Sequence, residues 1–310
     1  MFQCNPMPID WVWIPITVFA ALAQTLRNAT QRKLVGELGT LGATLVRFVY
    51  GAPFAALWLA LVCGVTRTTP SGVGVAFIFW VTLGAASQIV ATAALLRTMQ
   101  ARSFALGVAY SKTEILLVAL FGLVFLGDAL GVLALVAVLL GTLGVLLLAP
   151  ADPERPLRAL LAGWSTPAAQ WGLASGACFA LAAVAFRGAT LQVHGATPVL
   201  AAASTLLVAQ LLQTLMLGGY LMAREPTVVR NVRTLWRPSL FAGFMGAAAS
   251  AGWFTALALS TAAHVRTLGL VELVFSYAIS LKLFRERFTR RELLGMLLLA
   301  AGLVLVTLRA

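Results

Sequence analysis

Two carboxylates stand inside strongly apolar sequence, Glu114 in YSKTEILLVALF and Glu272 in LVELVFSY, 158 residues apart. An ionisable group deep in hydrocarbon costs about 2.5 to 3.5 kcal/mol on insertion scales, so each is a functional candidate by default. Two carboxylates brought to one site could share and release protons, the chemistry a proton-coupled carrier needs. The plainer alternative is that each is tied to a nearby cation or hydroxyl and pins two helices together. Lys112 lies two residues before Glu114, about 200° round a helix, and cannot pair with it along one face. It can reach Glu272, an anionic group on a substrate, or the membrane surface by snorkelling. Tyr110 stands one turn before Glu114 and Ser276 one turn after Glu272, where either could hydrogen-bond its glutamate.

A second set of polar residues falls in apolar stretches. Arg47 lies deeper than snorkelling needs and Arg266 opens its stretch, so both are candidates for contact with an anion. Arg27 and Arg187 lie about one turn from the ends of theirs, where snorkelling or gate-closing ion pairs with the loop acids Asp128 and Glu286 are the simplest roles. Gln24, Gln88 and Trp253 could line a cavity, although such residues more often serve packing. Cys4, Cys63 and Cys178 are scattered, and His194 and His264 have no ligand spacing beside them, so no metal or cofactor is expected. There is no phosphate-binding GxxxxGK[ST] loop, no nucleophile elbow and no HExxH, which removes the residues on which an ATP-driven or enzymatic reading would rest.

The elements that hold these residues must be transmembrane helices. With 61% hydrophobic and 10% charged residues and a mean hydropathy of +0.95, the chain has more apolar surface than a soluble globule can hide. A helix satisfies its own backbone hydrogen bonds in lipid and crosses with about 20 apolar residues. Ten such spans are expected, at 11–31, 40–62, 73–96, 103–125, 130–149, 168–191, 197–222, 238–259, 264–284 and 291–308. A polar stretch from Pro150 to Pro167 divides them into a first repeat, 1–150, a linker, 151–167, and a second repeat, 168–310. The linker's leucines and tryptophan suit a short interfacial helix.

The two halves repeat. An offset of 158 pairs Glu114 with Glu272, Asp128 with Glu286 and Gly144 with Gly302; an offset of 160 lays FAALAQTLRNAT (from Phe19) over FALAAVAFRGAT (from Phe179), Arg27 on Arg187. Loop charge then says how the copies are oriented. The odd-numbered loops carry 14 Lys and Arg, against 2 in the even-numbered loops and termini. Odd loops are therefore expected in the cytoplasm and both termini outside. This topology signal also accounts for the net charge of +12 without nucleic acid. Five spans per copy put the second copy upside down: the Asp128 loop has no Lys or Arg whereas its counterpart RERFTRR is arginine-rich. That is the inverted-repeat plan of secondary transporters, with the site near the midplane between repeats and alternating access around it.

The segment FLGDAL with Gly144 sixteen residues after Asp128, and LFRERFTRRELLG with Gly302 sixteen after Glu286, resemble the closing signature of the EamA branch of the drug/metabolite transporter superfamily. There each five-helix repeat ends in a leucine-rich run, a Gly-Glu turn and spaced glycines. Gly295 and Gly302 follow that pattern; Asp128, Ala137 and Arg285 depart from it. The resemblance implies an all-α, ten-helix, 5+5 carrier in an inner membrane, monomer or homodimer, with small amino acids or amines as typical cargo. The reading that follows is a proton-coupled exporter of small polar or zwitterionic metabolites. An organic-anion or phosphate-ester exchanger clamped by Lys112, Arg47 and Arg266, or a non-transporting scaffold, are the alternatives.

Overall fold

A computed structural model describes residues 11–69, 74–114, 117, 132–148, 166–193, 196–259, 265 and 268–307. Among these, the regular structure is helical and no strand occurs. The helices are α1 (Trp13–Val49), α2 (Ala52–Thr66), α3 (Val75–Ala101), α4 (Phe104–Ser111), α5 (Val132–Leu148), α6 (Pro167–Thr190), α7 (Pro198–Arg224), α8 (Pro226–Thr234), α9 (Trp236–Leu259), α10 (Val271–Lys282) and α11 (Arg290–Thr307). Four helical stretches are long and apolar enough to cross a bilayer by length and composition: Trp13–Thr66, Val75–Ala101, Pro167–Thr190 and Pro198–Arg224. The surface agrees, since Leu57, Leu61, Val65, Phe79, Leu215 and Leu297 are each more than half exposed. So much contiguous apolar surface is stable only against lipid.

The first helical stretch turns back on itself. Gly39 has φ 67° and ψ 174°, a conformation that a Cβ would forbid. Beyond it Gln31 Nε2 donates to the carbonyl of Ala43 at 2.8 Å, which a straight helix could not bring within reach over twelve residues. The two expected spans 11–31 and 40–62 are thus joined by a single glycine turn. The second is itself broken at Tyr50 and Gly51, where α2 restarts with a proline in its first turn.

Between α7 and α9 the sequence suggested only a basic loop, whereas the structure contains α8. Its valines explain it. Val232 is buried and accepts the Tyr50 phenol at 3.2 Å, and Val228 packs on Gly42, while Arg230 and Arg233 remain exposed. An apolar face one turn long is too short to register as a span but is enough to bind a helix to the bundle surface.

Helices pack in matched pairs: α3 along α6, α1 along α9, α5 along α11, with α2 against α7 and α4 against α10. The α5–α11 crossing depends on glycine. A Cβ at Gly144 would sit 2.6 Å from the Leu299 nitrogen and 2.8 Å from the Gly295 carbonyl oxygen, and one at Gly295 would sit 2.8 Å from the Gly144 oxygen. Backbones this close are the small-residue packing of membrane helices.

The arginine-rich ends are tied by ion pairs. Glu286 meets Arg32 at 2.5 Å, accepts the Phe104 backbone N–H at 2.9 Å, and receives the Ser280 hydroxyl; Arg102 meets Glu292 at 2.6 Å. Glu286 therefore pairs with neither Arg27 nor Arg187, because it is spent on the N-terminus of α4, where a carboxylate is favoured by unpaired N–H groups. Its counterpart Asp128, and residues 151–165 of the inter-repeat linker, lie outside the described residues.

The glycine crossing makes a direct prediction. Gly144→Leu should lose about 1 to 3 kcal/mol or more by overpacking and lower the melting temperature of the detergent-purified protein. Gly64→Leu, with no atom within 4 Å of its Cβ position, should melt like wild type.

Candidate functional site

Each helix that carries a glutamate has a one-residue turn beside it, with the backbone still in the right-handed helical region and helical residues on both sides. α4 ends at Ser111 with Lys112 as its C-cap, and α10 begins after Leu270, with Glu272 in its first turn. Positions 112 and 270 differ by 158, so the turns fall at the same register of the two halves. The geometry is electrostatically apt. A cation at a helix C-terminus and a carboxylate at a helix N-terminus are each favoured by the unpaired backbone groups there.

These two side chains meet. Lys112 Nζ donates to Glu272 Oε2 at 2.5 Å, and Gln24 Nε2, from α1, donates to the same oxygen at 2.7 Å. Trp253 Nε1, from α9, donates in turn to Gln24 Oε1 at 3.1 Å, completing a chain of four residues from four helical segments. Glu272 is 1% exposed, and such a carboxylate is stable only because it is paired and hydrogen-bonded.

The chain borders a cavity of about 230 Å³ whose walls include Gln24, Arg27, Arg47, Gln88, Lys112, Glu114, Trp253 and Glu272. At about 30 Å³ per water, that space holds a handful of waters or one small metabolite. Both glutamates of the repeat therefore face one hollow, with α1, α3, α4, α6, α9 and α10 around it. Arg27 and Arg47 are 3% and 6% exposed. Arg27 Nη2 donates to Asn28 Oδ1 at 2.8 Å, and Arg47 Nη1 to Thr92 Oγ1 at 3.2 Å. Gln88 accepts from Gln213 Nε2 at 2.7 Å. Arg27 thus points into the bundle instead of snorkelling, because Asn28 and the cavity give its guanidinium a polar setting that lipid does not.

Other residues named from the sequence fall elsewhere. Tyr110 is 1% exposed, packs against Gly172 and does not line the cavity. The turn at Lys112 stands between Tyr110 and Glu114, which share a face only on an uninterrupted helix. Ser276 is fully buried outside the cavity, with no hydroxyl partner among the described residues. Arg187 is exposed in the last turn of α6. Arg266 lies outside the described residues. Among those described, no group of His, Cys, Asp or Glu is arranged to hold a metal ion.

The sequence reading passed over several wall residues, including Asn28, Phe179, Phe186, Ser250 and Phe254. Asn28 carried a usable signal, being an amide beside an arginine inside an apolar stretch. The phenylalanines carried none, because in such a chain an aromatic on a cavity wall and one facing lipid look alike.

The EamA-like transporter family matches residues 166–308. No curated protein matches the chain. Among solved structures 17 chains match; one, described as the crystal structure of a protein, aligns over 96% of this chain and 97% of that one at 19% identity with a TM-score of 0.56. At that identity the likeness speaks to fold alone. Residues 166–308 thus match the EamA-like transporter family, part of the drug/metabolite transporter superfamily, and the long apolar helices are those of a multi-pass membrane protein.

Proposed function

We propose that the protein is a secondary active transporter that carries a small polar or zwitterionic metabolite through the central cavity by alternating access, coupled to protons and directed outward across a bacterial-type inner membrane. The observation that carries this reading is the cavity itself: a charged hollow at the contact between the halves, walled by residues from both. A buried polar space of metabolite size in a chain this apolar is costly unless something passes through it.

A 5+5 arrangement of ten spans is supported by the way helices pair. Exchanging first-half for second-half spans turns the α1–α9 pair into α6–α3 and maps α5–α11, α2–α7 and α4–α10 onto themselves. This exchange of contacts is what a two-fold-related pair of repeats requires, and it supports the inverted-repeat reading. The matched turns beside Lys112 and Glu272 support a midplane site between the repeats.

In this mechanism Glu272 is the coupling group. Ionised, it holds Lys112 and Gln24 and so ties α4, α10 and α1 together. Protonated, it loses the ion pair, and the two helices are free to part. The Arg32–Glu286 contact, on the side of the arginine-rich loops, is the matching closure of the cytoplasmic end.

Two outcomes test this. In proteoliposomes containing a pH-sensitive dye, addition of an amino-acid mixture should move protons through the wild type, and Glu272→Gln should lower that flux by about tenfold or more in protein that still folds and elutes as a single species, with a lower melting temperature because Lys112 loses its counter-charge. Equal flux in the variant removes Glu272 from coupling. Orientation is tested after Cys4, Cys63 and Cys178 are changed to serine. A membrane-impermeant maleimide should label Arg230→Cys only in inside-out vesicles and Thr68→Cys only in right-side-out ones; the reverse pattern overturns the orientation.

A further inference from the structure

The charges around the cavity do not cancel. Three cations, Arg27, Arg47 and Lys112, face two carboxylates, Glu114 and Glu272. Lys112 is consumed by Glu272. Among the described residues neither arginine forms an ion pair with a carboxylate; their hydrogen-bond acceptors are the neutral Asn28 and Thr92. A buried guanidinium whose hydrogen-bond acceptors are neutral is unfavourable, and two such groups side by side are worse.

Side by side they are. Gly246 of α9 is the surface both cross: a Cβ there would lie 3.1 Å from Arg27 Cδ and 3.4 Å from Arg47 Cγ. Asn28 engages Nε and Nη2 of Arg27, leaving Nη1; Thr92 engages Nη1 of Arg47, leaving Nε and Nη2. The Nε and Nη2 of Arg47 are the pair of guanidinium donors that can meet a planar carboxylate with two parallel hydrogen bonds. The wall of the main cavity carries Phe179, Phe186, Trp253 and Phe254. A smaller hollow of about 40 Å³ beside Arg47 is lined by Phe186 and Phe254 together with Gln88, Thr205, Gln210, Gln213 and Ser250.

We infer that the cargo is a small monocarboxylic acid with an apolar or aromatic body, its carboxylate bound between Arg27 and Arg47 and its body against Phe186 and Phe254. Charge selects the monoanion. The described lining residues carry one net positive charge, which a carboxylate neutralises and a phosphate-ester dianion would overshoot. The inference rests on the cavity being the transport site and adds to it the chemical class of what enters.

The test is thermal stabilisation of the detergent-purified full chain, at fixed pH and ionic strength, by phenylacetate, phenylacetamide, phenethylamine and inorganic phosphate. Phenylacetate should raise the melting temperature saturably and the other three should not. In the absence of any acid, Arg47→Gln should melt at or above wild type, since it removes a like charge, and its response to phenylacetate should fall at least tenfold in midpoint. An equal response to the amide, to the amine or to phosphate overturns the inference. So does an Arg47→Gln protein that still prefers the acid. If that variant does not fold, the acid-against-amide comparison in the wild type decides alone. Failure here is distinguishable from failure of the transport reading: vesicles that move amines but not acids keep the carrier and sink the acid. Saturable phenylacetate binding with no flux in vesicles does the opposite.

Discussion

A carboxylate buried inside an apolar helical bundle survives only if its charge is met from several directions at once. Glu272 is met by an ammonium, by an amide and by the N-terminus of its own helix. Each of these partners requires something of the backbone. The ammonium must come from a different helix at the same depth, which the C-cap position of Lys112 provides; the amide must come from α1, which therefore packs within reach of α10; and the helix terminus requires the turn at Leu270. Much of the central architecture follows from keeping that one charge in place.

The glycines are the complementary constraint. Electrostatics says which side chains must meet, and close backbone approach sets the helix rotations at which they can. Gly172 and Gly176 let α6 settle on Tyr110 and Thr113 at the end of α4, Gly269 makes room for the Trp253 indole, and Gly246 lets two arginine stems cross one helix. A larger side chain at any of these would turn its helix and carry a charge out of register with its partner. Packing and charge therefore form one specification, since a charge left unpaired costs more than the helix contact gains.

The same reasoning explains why the cavity stands between the halves. Polar residues that cannot all pair with each other are tolerated only around a space that water or cargo can occupy. Lys112, Glu272, Gln24 and Trp253 pair among themselves; Arg27, Arg47, Gln88 and Glu114 complete the charged wall around the hollow. The paired group holds α1, α4, α9 and α10 together at one edge of the hollow. The ion pairs at the arginine-rich ends hold the periphery in the same way, with Glu286 serving both Arg32 and the first turn of α4.

Composition and pattern by themselves determined the membrane class and the helical build, the 158-residue offset that links Glu114 to Glu272, and the rarity that marks Glu272, Lys112, Gln24 and Arg47 as residues to watch. These are readable because transfer of a side chain into lipid is a local free energy, summed residue by residue along the chain. Tertiary structure alone decided that Lys112 pairs with Glu272, that Arg27 lies beside Arg47, that Tyr110 and Ser276 stand outside the cavity, that one glycine turns α1 back on itself, and that a short valine-faced helix follows α7. The reason is rotational. Which face of a helix looks inward, and where a helix breaks, are set by contacts between segments far apart in sequence, and an apolar stretch surrounded by lipid is nearly equally apolar on every face.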